Sequence, residues 1–341
     1  MARQPVMHVD HLDADNFSPL GSQGLVPIDL GFNSDTLAAS LSQRTQCILV
    51  GIDRTGACPN VRKSAFDVLL TVAPSAPAPW VSVPPARLDD RVQAISATCA
   101  GAPFAAAAFA QVLRIGEGLA LSQATVLESF AYSALLGGNE FRGWLARRGA
   151  PAIAKDSAAP FVTVCRENDI VRVTLNRPQD RNVLCAGMRD ALFEALAAVL
   201  DDPSEPRLRL EGAGGCFSTG GSLAEFGTAK DLAAAHFIRT LHNGAILLSR
   251  LGERAEVMLH GACIGSGIEL PAAAARRLAI AHSYFQLPEI KMGLIPGAGG
   301  TATLSRAIGR HRTAYMGLSG RRIDSATALS WGLIHAIVPD A

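Results

Sequence analysis

The stretch Gly261–Thr301, GACIGSGIELPAAAARRLAIAHSYFQLPEIKMGLIPGAGGT, decides the fold class of this chain. It opens on glycines, runs into a helix, passes through a short strand and closes on a second glycine turn. A carboxylate stands at each of its two breaks: Glu269 after Gly265-Ser266-Gly267, and Glu289 after Leu287-Pro288. Small residues before Glu269 let a backbone N–H approach a ligand closely. The small apolar run Leu270–Leu278 reads as the buried face of a helix. Pro271 would sit in its first turn, where the missing N–H has no partner to lose. A helix N-terminus offers free N–H groups to a developing negative charge. Two carboxylates beside such a site suit acid–base chemistry on a carbonyl compound.

Upstream, strands and helices alternate. Phe161–Arg166 and Ile170–Leu175 read as a hairpin around Glu167-Asn168-Asp169, and Asn176-Arg177-Pro178 ends its second strand. Gly187–Leu200 is an amphipathic helix, with Met188, Leu192, Leu196 and Leu200 on one face. Leu208–Glu211 is a strand leading into Gly212–Gly215. Lys230–Leu251 is mostly helical, and Glu256–Leu259 is the strand feeding the central stretch. This alternation makes an α/β fold with crossover connections.

Residues 87–148 read as helices. Leu88, Val92, Ile95 and Cys99 share a face. Ala102–Leu113 begins with Pro103 in its first turn. Leu121–Leu136 and Asn139–Arg148 follow, and Gly149 and Pro151 stop the last helix. Before them, residues 1–40 are polar and irregular, and Cys47–Ile52 and Phe66–Val72 are short buried strands. Ala73–Pro85 carries five prolines and reads as a linker or extended arm. The chain thus divides into an N-terminal extension (1–86), a helical segment (87–150) and an α/β core (151–341). No chemistry is assigned to residues 1–86.

Composition excludes several classes. A net charge of +1 argues against nucleic-acid or acidic-membrane partners. The apolar runs are too short or too broken by Gly and Pro to span a bilayer. The N-terminus MARQPVMHVDHLDADN has no apolar signal region, so a cytoplasmic protein is expected. Seven scattered cysteines without a C-x-x-C pair read as reduced buried thiols. The histidines are isolated and show no metal spacing. Gly297-Ala298-Gly299-Gly300-Thr301 lacks the lysine of a phosphate loop. Gly265-Ser266-Gly267 lacks the third glycine of a dinucleotide loop, and no G-x-S-x-G elbow occurs.

Five motifs stand in one order over residues 161–341. They are VTLNRPQDRNVL (173–184), CFSTGGSLAEF (216–226), HGACIGSGIEL (260–270), FQLPEIKMGLIPGAGGTATLSRAIG (285–309) and GLSGRRIDSATALSWGLIHAIVP (317–339). Together they resemble the crotonase (enoyl-CoA hydratase/isomerase) superfamily. The resemblance implies a spiral of ββα units with a helical subdomain, commonly assembled as a homotrimer or a dimer of trimers. It implies an acyl-CoA substrate and no cofactor beyond the CoA that the substrate carries. The backbone N–H groups of Gly221 and Ser266 would form an oxyanion hole for a thioester. Ser222 stands where the family usually has Asp, and Ser266 where it usually has Gly. Glu269 would activate water and Glu289 would protonate C2, which makes an enoyl-CoA hydratase. The alternatives are another reaction on the same scaffold (isomerisation, decarboxylation or C–C hydrolysis) and a non-catalytic acyl-CoA-binding protein. Arg177, Arg181 and Asn182 fall where the family's chain passes the CoA nucleotide.

Ordinary members carry their helical subdomain after the strand that reads AIVP here. Residues 87–148 resemble that subdomain, so the chain reads as a circular permutation of the usual order; the competing reading is that residues 1–150 are an unrelated helical domain fused upstream. Arg147 and Arg148, closing the last of these helices, would then reach the CoA phosphates.

Overall fold

The structure, a computed structural model, describes residues 13–31, 34–149 and 159–340. The readings of residues 1–12, Pro151 and Ala341 lie outside these.

The N-terminal part folds as β1 (Leu25–Asp29), α1 (Ser34–Arg44), β2 (Ile48–Asp53), β3 (Val68–Thr71) and β4 (Val81–Ser82). The four strands form one parallel sheet in the order β1-β2-β3-β4. Every residue of β2 and β3 is buried, as a parallel strand covered on both faces requires. Two sequence expectations change here. Residues 1–40 are not all irregular, since β1 and α1 begin among them. The proline-rich arm is not merely a linker: it contains β4, flanked by buried Trp80 and Val83. Both unforeseen strands are edge strands, where prolines such as Pro27 and Pro79 are tolerated in or beside the ladder.

Four helices follow: α2 (Leu88–Gly101), α3 (Pro103–Gly116), α4 (Leu121–Leu136) and α5 (Asn139–Arg148). The last two have the bounds expected from their glycine punctuation. Arg114 of α3 ties the N-terminal sheet to this layer. Its Nε donates to Asp67 Oδ1 at 2.7 Å, and Asp67 Oδ2 accepts from the Leu49 N–H at 2.8 Å.

The core begins with the antiparallel hairpin β5 (Val162–Glu167) and β6 (Ile170–Leu175). Next come α6 (Ala186–Asp201), β7 (Arg207–Gly212), α7 (Leu232–Leu241) and α8 (Gly244–Leu251). Asn243 caps α8 and breaks the helix expected over Lys230–Leu251 into two. Then follow β8 (Ala255–Leu259), β9 (Ala262–Ile264), α9 (Ser266–Glu269), β10 (Arg276–Ile280) and β11 (Tyr284–Gln286). The chain closes with α10 (Gly300–Ile308), α11 (Arg310–Ser319), β12 (Ile323–Asp324), α12 (Ser325–Trp331) and β13 (Ala336–Val338).

A six-stranded sheet runs β13-β10-β8-β7-β6-β5, and a three-stranded sheet runs β12-β11-β9. β8 and β10 lie in the large sheet, and their successors β9 and β11 lie in the small one. Ser218, after β7, bridges to Cys263 of β9 and repeats that step. This is the spiral of ββα units. The helix expected over Leu270–Leu278 does not form. α9 is a single turn, Pro271–Ala273 is a 3-10 turn, and Arg276–Ile280 is a central strand. A short apolar run of small residues fits a buried helix and a buried strand equally, and only the pairing of β10 with β8 and β13 decides.

The N-terminal helices are part of this core. α2 and α3 pack on α11, and α4 packs on α7 and α10. α5 abuts the 3-10 turn Glu289–Met292, and a Cβ on Gly293 would come within 2.6 Å of the Phe141 amide nitrogen. Among the described residues, no single helix is long and apolar enough to cross a membrane.

Candidate active site

Glu269 ends α9 and Glu289 opens the 3-10 turn after β11. Both line one cavity of about 180 Å³, together with Gly221, Ser266, Tyr132 and Arg239. The two carboxylates meet over Gly265, which has φ +52°. A Cβ there would lie 2.6 Å from Glu289 Oε1 and 3.7 Å from Glu269 Oε1. Only glycine supplies both the left-handed backbone and the room.

The loops bearing Gly221 and Ser266 are neighbours. A Cβ on Gly220 would come within 2.7 Å of the Ile264 carbonyl oxygen. Leu184 fixes the first loop from below: its N–H donates to Gly220 O at 2.8 Å, and its carbonyl accepts from the Ser222 N–H at 3.2 Å. Among the described residues, the N–H groups of Gly221 and Ser266 donate no hydrogen bond. Two unspent donors on residues that line one cavity suit a carbonyl oxygen gaining charge. The Ser266 hydroxyl and Glu289 Oε2 are likewise buried without a partner.

The amides of the glycine turn after Pro296 hold two carboxylates. Glu269 Oε2 accepts from the N–H groups of Ala298 at 2.8 Å and Gly300 at 3.2 Å. Glu128, on α4, accepts from the N–H groups of Gly299 and Thr301 and from the Thr301 hydroxyl, each at 2.7 Å. Successive amides thus point to alternate sides, one side to each carboxylate. Gly299 has φ +100°, and a Cβ on Gly300 would lie 2.5 Å from Glu269 Cγ.

These surroundings separate the carboxyl groups. Burial pushes Glu269 up to about 7, while its N–H partners on the glycine turn pull it down. Burial and the neighbouring Glu269 charge push Glu289 well above the usual carboxylate range, with only its own backbone N–H to oppose them. Burial and the Glu269 charge also push Glu128 up to about 8 against its three donors. Glu289 thus lacks the hydrogen-bond donors that favour an ionised Glu269 and Glu128.

A second cleft, of about 570 Å³, opens on the other side of Gly221 and Ile264. Arg148, Arg181 and Arg322 line it, with Tyr284 and one acid, Asp180. Arg148 stacks on Trp144 at 5.0 Å and donates to the Leu223 carbonyl. Arg322 lies over the Tyr284 ring at 4.3 Å. Such a cleft can hold an extended anionic group whose far end enters the inner cavity at Gly221.

Of the residues expected to face an anion, the structure brings Arg181 and Arg148 to the cleft. It places Arg177, Asn182 and Arg147 elsewhere. The buried Arg177 guanidinium donates to the carbonyls of Ala159, Pro160 and Asn176 and lies over the Phe161 ring at 4.1 Å. Asn182 is fully buried. Its side chain accepts from the Arg177 N–H at 2.9 Å and donates to the carbonyls of Ala213 and Cys216. It staples a turn in which Arg181 and Asn182 both have positive φ, and so presents Arg181 to the cleft. Arg147 lines neither cavity, because successive residues on α5 point to different sides.

Sequence reading missed Glu128, Tyr132, Arg239, Arg322 and Tyr284. One signal was available for Glu128: it is the only charged residue in the apolar α4. Among the described residues, no three His, Cys, Asp or Glu side chains are grouped to hold a metal.

The profile of the Enoyl-CoA hydratase/isomerase family matches residues 165–341. A probable enoyl-CoA hydratase (echA8) of Mycobacterium bovis is 32% identical over 180 residues, 52% of this chain and 68% of that protein. A mitochondrial enoyl-CoA hydratase of Pongo abelii is 31% identical over 176 residues, 51% of this chain and 59% of its own length. A probable 3-hydroxyisobutyryl-CoA hydrolase of Arabidopsis thaliana is 32% identical over 178 residues, 51% of this chain and 47% of its own length. The solved structure of an enoyl-CoA hydratase/carnithine racemase from Magnetospirillum magneticum superposes with a TM-score of 0.50 at 26% identity, over 54% of this chain and 70% of that one. With the spiral core, the unspent amide pair and the profile match all falling on the same half of the sequence, this chain belongs to the enoyl-CoA hydratase/isomerase family.

Proposed function

We propose that this protein adds water across the C2–C3 double bond of an enoyl-CoA thioester. The observation that carries the reading is the pair of buried carboxyls in one cavity, both pushed up by burial but only Glu269 held by the N–H groups of the glycine turn, beside two unspent N–H groups. CoA lies in the cleft lined by Arg148, Arg181 and Arg322, and the acyl group passes Gly221 into the inner cavity. The thioester oxygen accepts from the Gly221 and Ser266 N–H groups. Ionised Glu269 takes a proton from water as the water oxygen bonds to C3. Charge moves to the thioester oxygen, and the proton of Glu289 is delivered to C2. The reaction as proposed needs no cofactor beyond the CoA of its substrate.

Loss of the conjugated enoyl-thioester absorbance of crotonyl-CoA tests the reading, repeated with longer enoyl-CoAs. No loss with any of them would sink it. Release of free CoA thiol in place of hydration would move the assignment to the thioester hydrolysis named for the Arabidopsis relative.

The pH profile follows from the pair. Glu269 must be ionised and Glu289 protonated. The value of kcat/KM should rise with pH through an apparent midpoint near 7 and fall only at higher pH, where Glu289 ionises. A profile already flat between pH 5 and pH 7 would contradict the assignment. At the cleft, Arg322→Ala removes one phosphate partner and should raise KM for crotonyl-CoA about tenfold, an effect that shrinks with added salt. An unchanged KM would place CoA elsewhere.

We further propose that α2–α5 are the family's helical subdomain carried ahead of the core. This is supported by α4 and α5 closing the site, and by a profile match that begins only after them. A rearranged chain with residues 87–149 joined after residue 340 should fold and hydrate crotonyl-CoA. A soluble but inactive product would count against the permutation.

A further inference from the structure

The inner cavity continues into an outer groove of about 550 Å³ between α5, α6 and α7, and Arg239 lines both. Its guanidinium is anchored to α4. Nε donates to Ser129 Oγ at 3.2 Å, Nη2 donates to Ser129 O at 3.3 Å and to the Ser133 hydroxyl, and the plane lies 4.8 Å from the Tyr132 ring centroid. Every one of these partners is neutral. Nη1 donates to no group among the described residues, and no carboxylate lies within ion-pair distance.

The other charged groups along this path are occupied. Arg189 pairs with Asp190 at 2.8 Å, and Asp190 also meets His242 at 2.8 Å. Both Glu225 oxygens accept from the Ala186 N–H at the start of α6, at 3.1 and 2.9 Å. Burial pushes Glu289 toward its neutral form, and Glu269 is held by the Ala298 and Gly300 N–H groups. Arg142 also lacks a carboxylate, but it is exposed at the outer rim. Arg239 is therefore a half-buried cation that no carboxylate among the described residues pairs with directly: Glu128 acts on it only at longer range, and Glu225 lines the same two cavities without touching it. A desolvated, unpaired cation is costly, and a guanidinium with a free edge is built for a carboxylate. A hydrocarbon tail at the same place would strip water from the cation and return nothing.

We infer that the acyl chain taken by this site ends in a carboxylate: the substrate is the mono-CoA thioester of a short 2-enedioic acid, and Arg239 receives its distal carboxylate. This rests on the hydratase reading and adds its substrate class. Arg239 is a specificity residue; it touches the far end of the acyl chain and not the reacting carbons.

The test uses matched pairs. For hydration, glutaconyl-CoA is compared with 2-pentenoyl-CoA, and the six-carbon homologue with 2-hexenoyl-CoA. For binding without turnover, glutaryl-CoA is compared with pentanoyl-CoA by calorimetry. Wild type should favour the carboxylated member of each pair by about tenfold or more. Arg239→Met should bring the ratio to about one or below, and Arg239→Lys should restore part of it. A wild-type preference for the neutral partner, or a ratio unmoved in both variants, overturns the inference. If no thioester is hydrated but glutaryl-CoA still binds more tightly than pentanoyl-CoA in an Arg239-dependent way, the hydratase reading fails and the carboxylate site stands.

Discussion

Glu289→Gln is expected to lower kcat for crotonyl-CoA hydration by about 10²- to 10⁴-fold, the range for a removed general acid–base group. Glu269→Gln should lie in the same range, and the double variant should lose little more than the worse single one, because the two groups act as a unit. The change is nearly isosteric, so the loss is chemical. Glu289 Oε2 has no hydrogen-bond partner to lose, and a glutamine at 269 can still accept from the Ala298 and Gly300 N–H groups. A variant retaining more than about a tenth of wild-type kcat would remove that carboxyl from the mechanism.

Stability should move the other way. A carboxyl whose folded pKa is raised is most favourable to folding below its unfolded value near 4.5. That contribution is lost as pH climbs through the folded value, about 7 for Glu269. Glu269→Gln and Glu289→Gln should therefore melt at or above the wild-type temperature at pH 8, and lose less stability between pH 5 and pH 8. Calorimetry at the two pH values decides this. A lower Tm for both variants at pH 8 would show that the ionised carboxyls stabilise the fold.

Glu128→Ala is expected to destabilise the protein by about 3–5 kcal/mol, because two buried N–H groups and a hydroxyl lose their acceptor together. The same turn supplies the N–H groups that hold Glu269, so activity should fall as well. Glu128 lines neither cavity and touches no substrate, which makes it a positioning residue. Glu128→Gln keeps an acceptor for part of the set and should recover a good share of the Tm. Its residual defect should appear in the pH profile, through the position and ionisation of Glu269. If Glu128→Ala melts within about 1 kcal/mol of wild type, the glycine turn is held by its own backbone.

Some parts of this architecture were legible in advance because neighbouring residues encode them. The hairpin around Asn168 and the bounds of α4 and α5 follow from periodicity and glycine punctuation. Gly221, Ser266, Glu269 and Glu289 sit on short turns whose glycines leave the backbone few choices. Their placement in one cavity accords with the motif order. The side chains of Arg177, Asn182 and Arg147 were misplaced by motif reasoning, because a motif fixes where the backbone runs and not which carbonyls a side chain finds.

Other features belong to tertiary structure alone. Whether Leu270–Leu278 became helix or strand depended on an open place between β8 and β13. β1 and β4 needed partners to exist as strands. Glu128 finds its acceptor role 173 residues away at Thr301, and Arg239 lies beside Ser129 and Ser133 across more than a hundred residues. Sequence by itself determined the family and put Glu269 and Glu289 on turns that meet in one cavity, since local backbone geometry is written in adjacent residues. What holds those groups, which of them keeps its proton, and what the acyl chain meets beyond them are set by burial and charge. Both arise only when distant helices pack together.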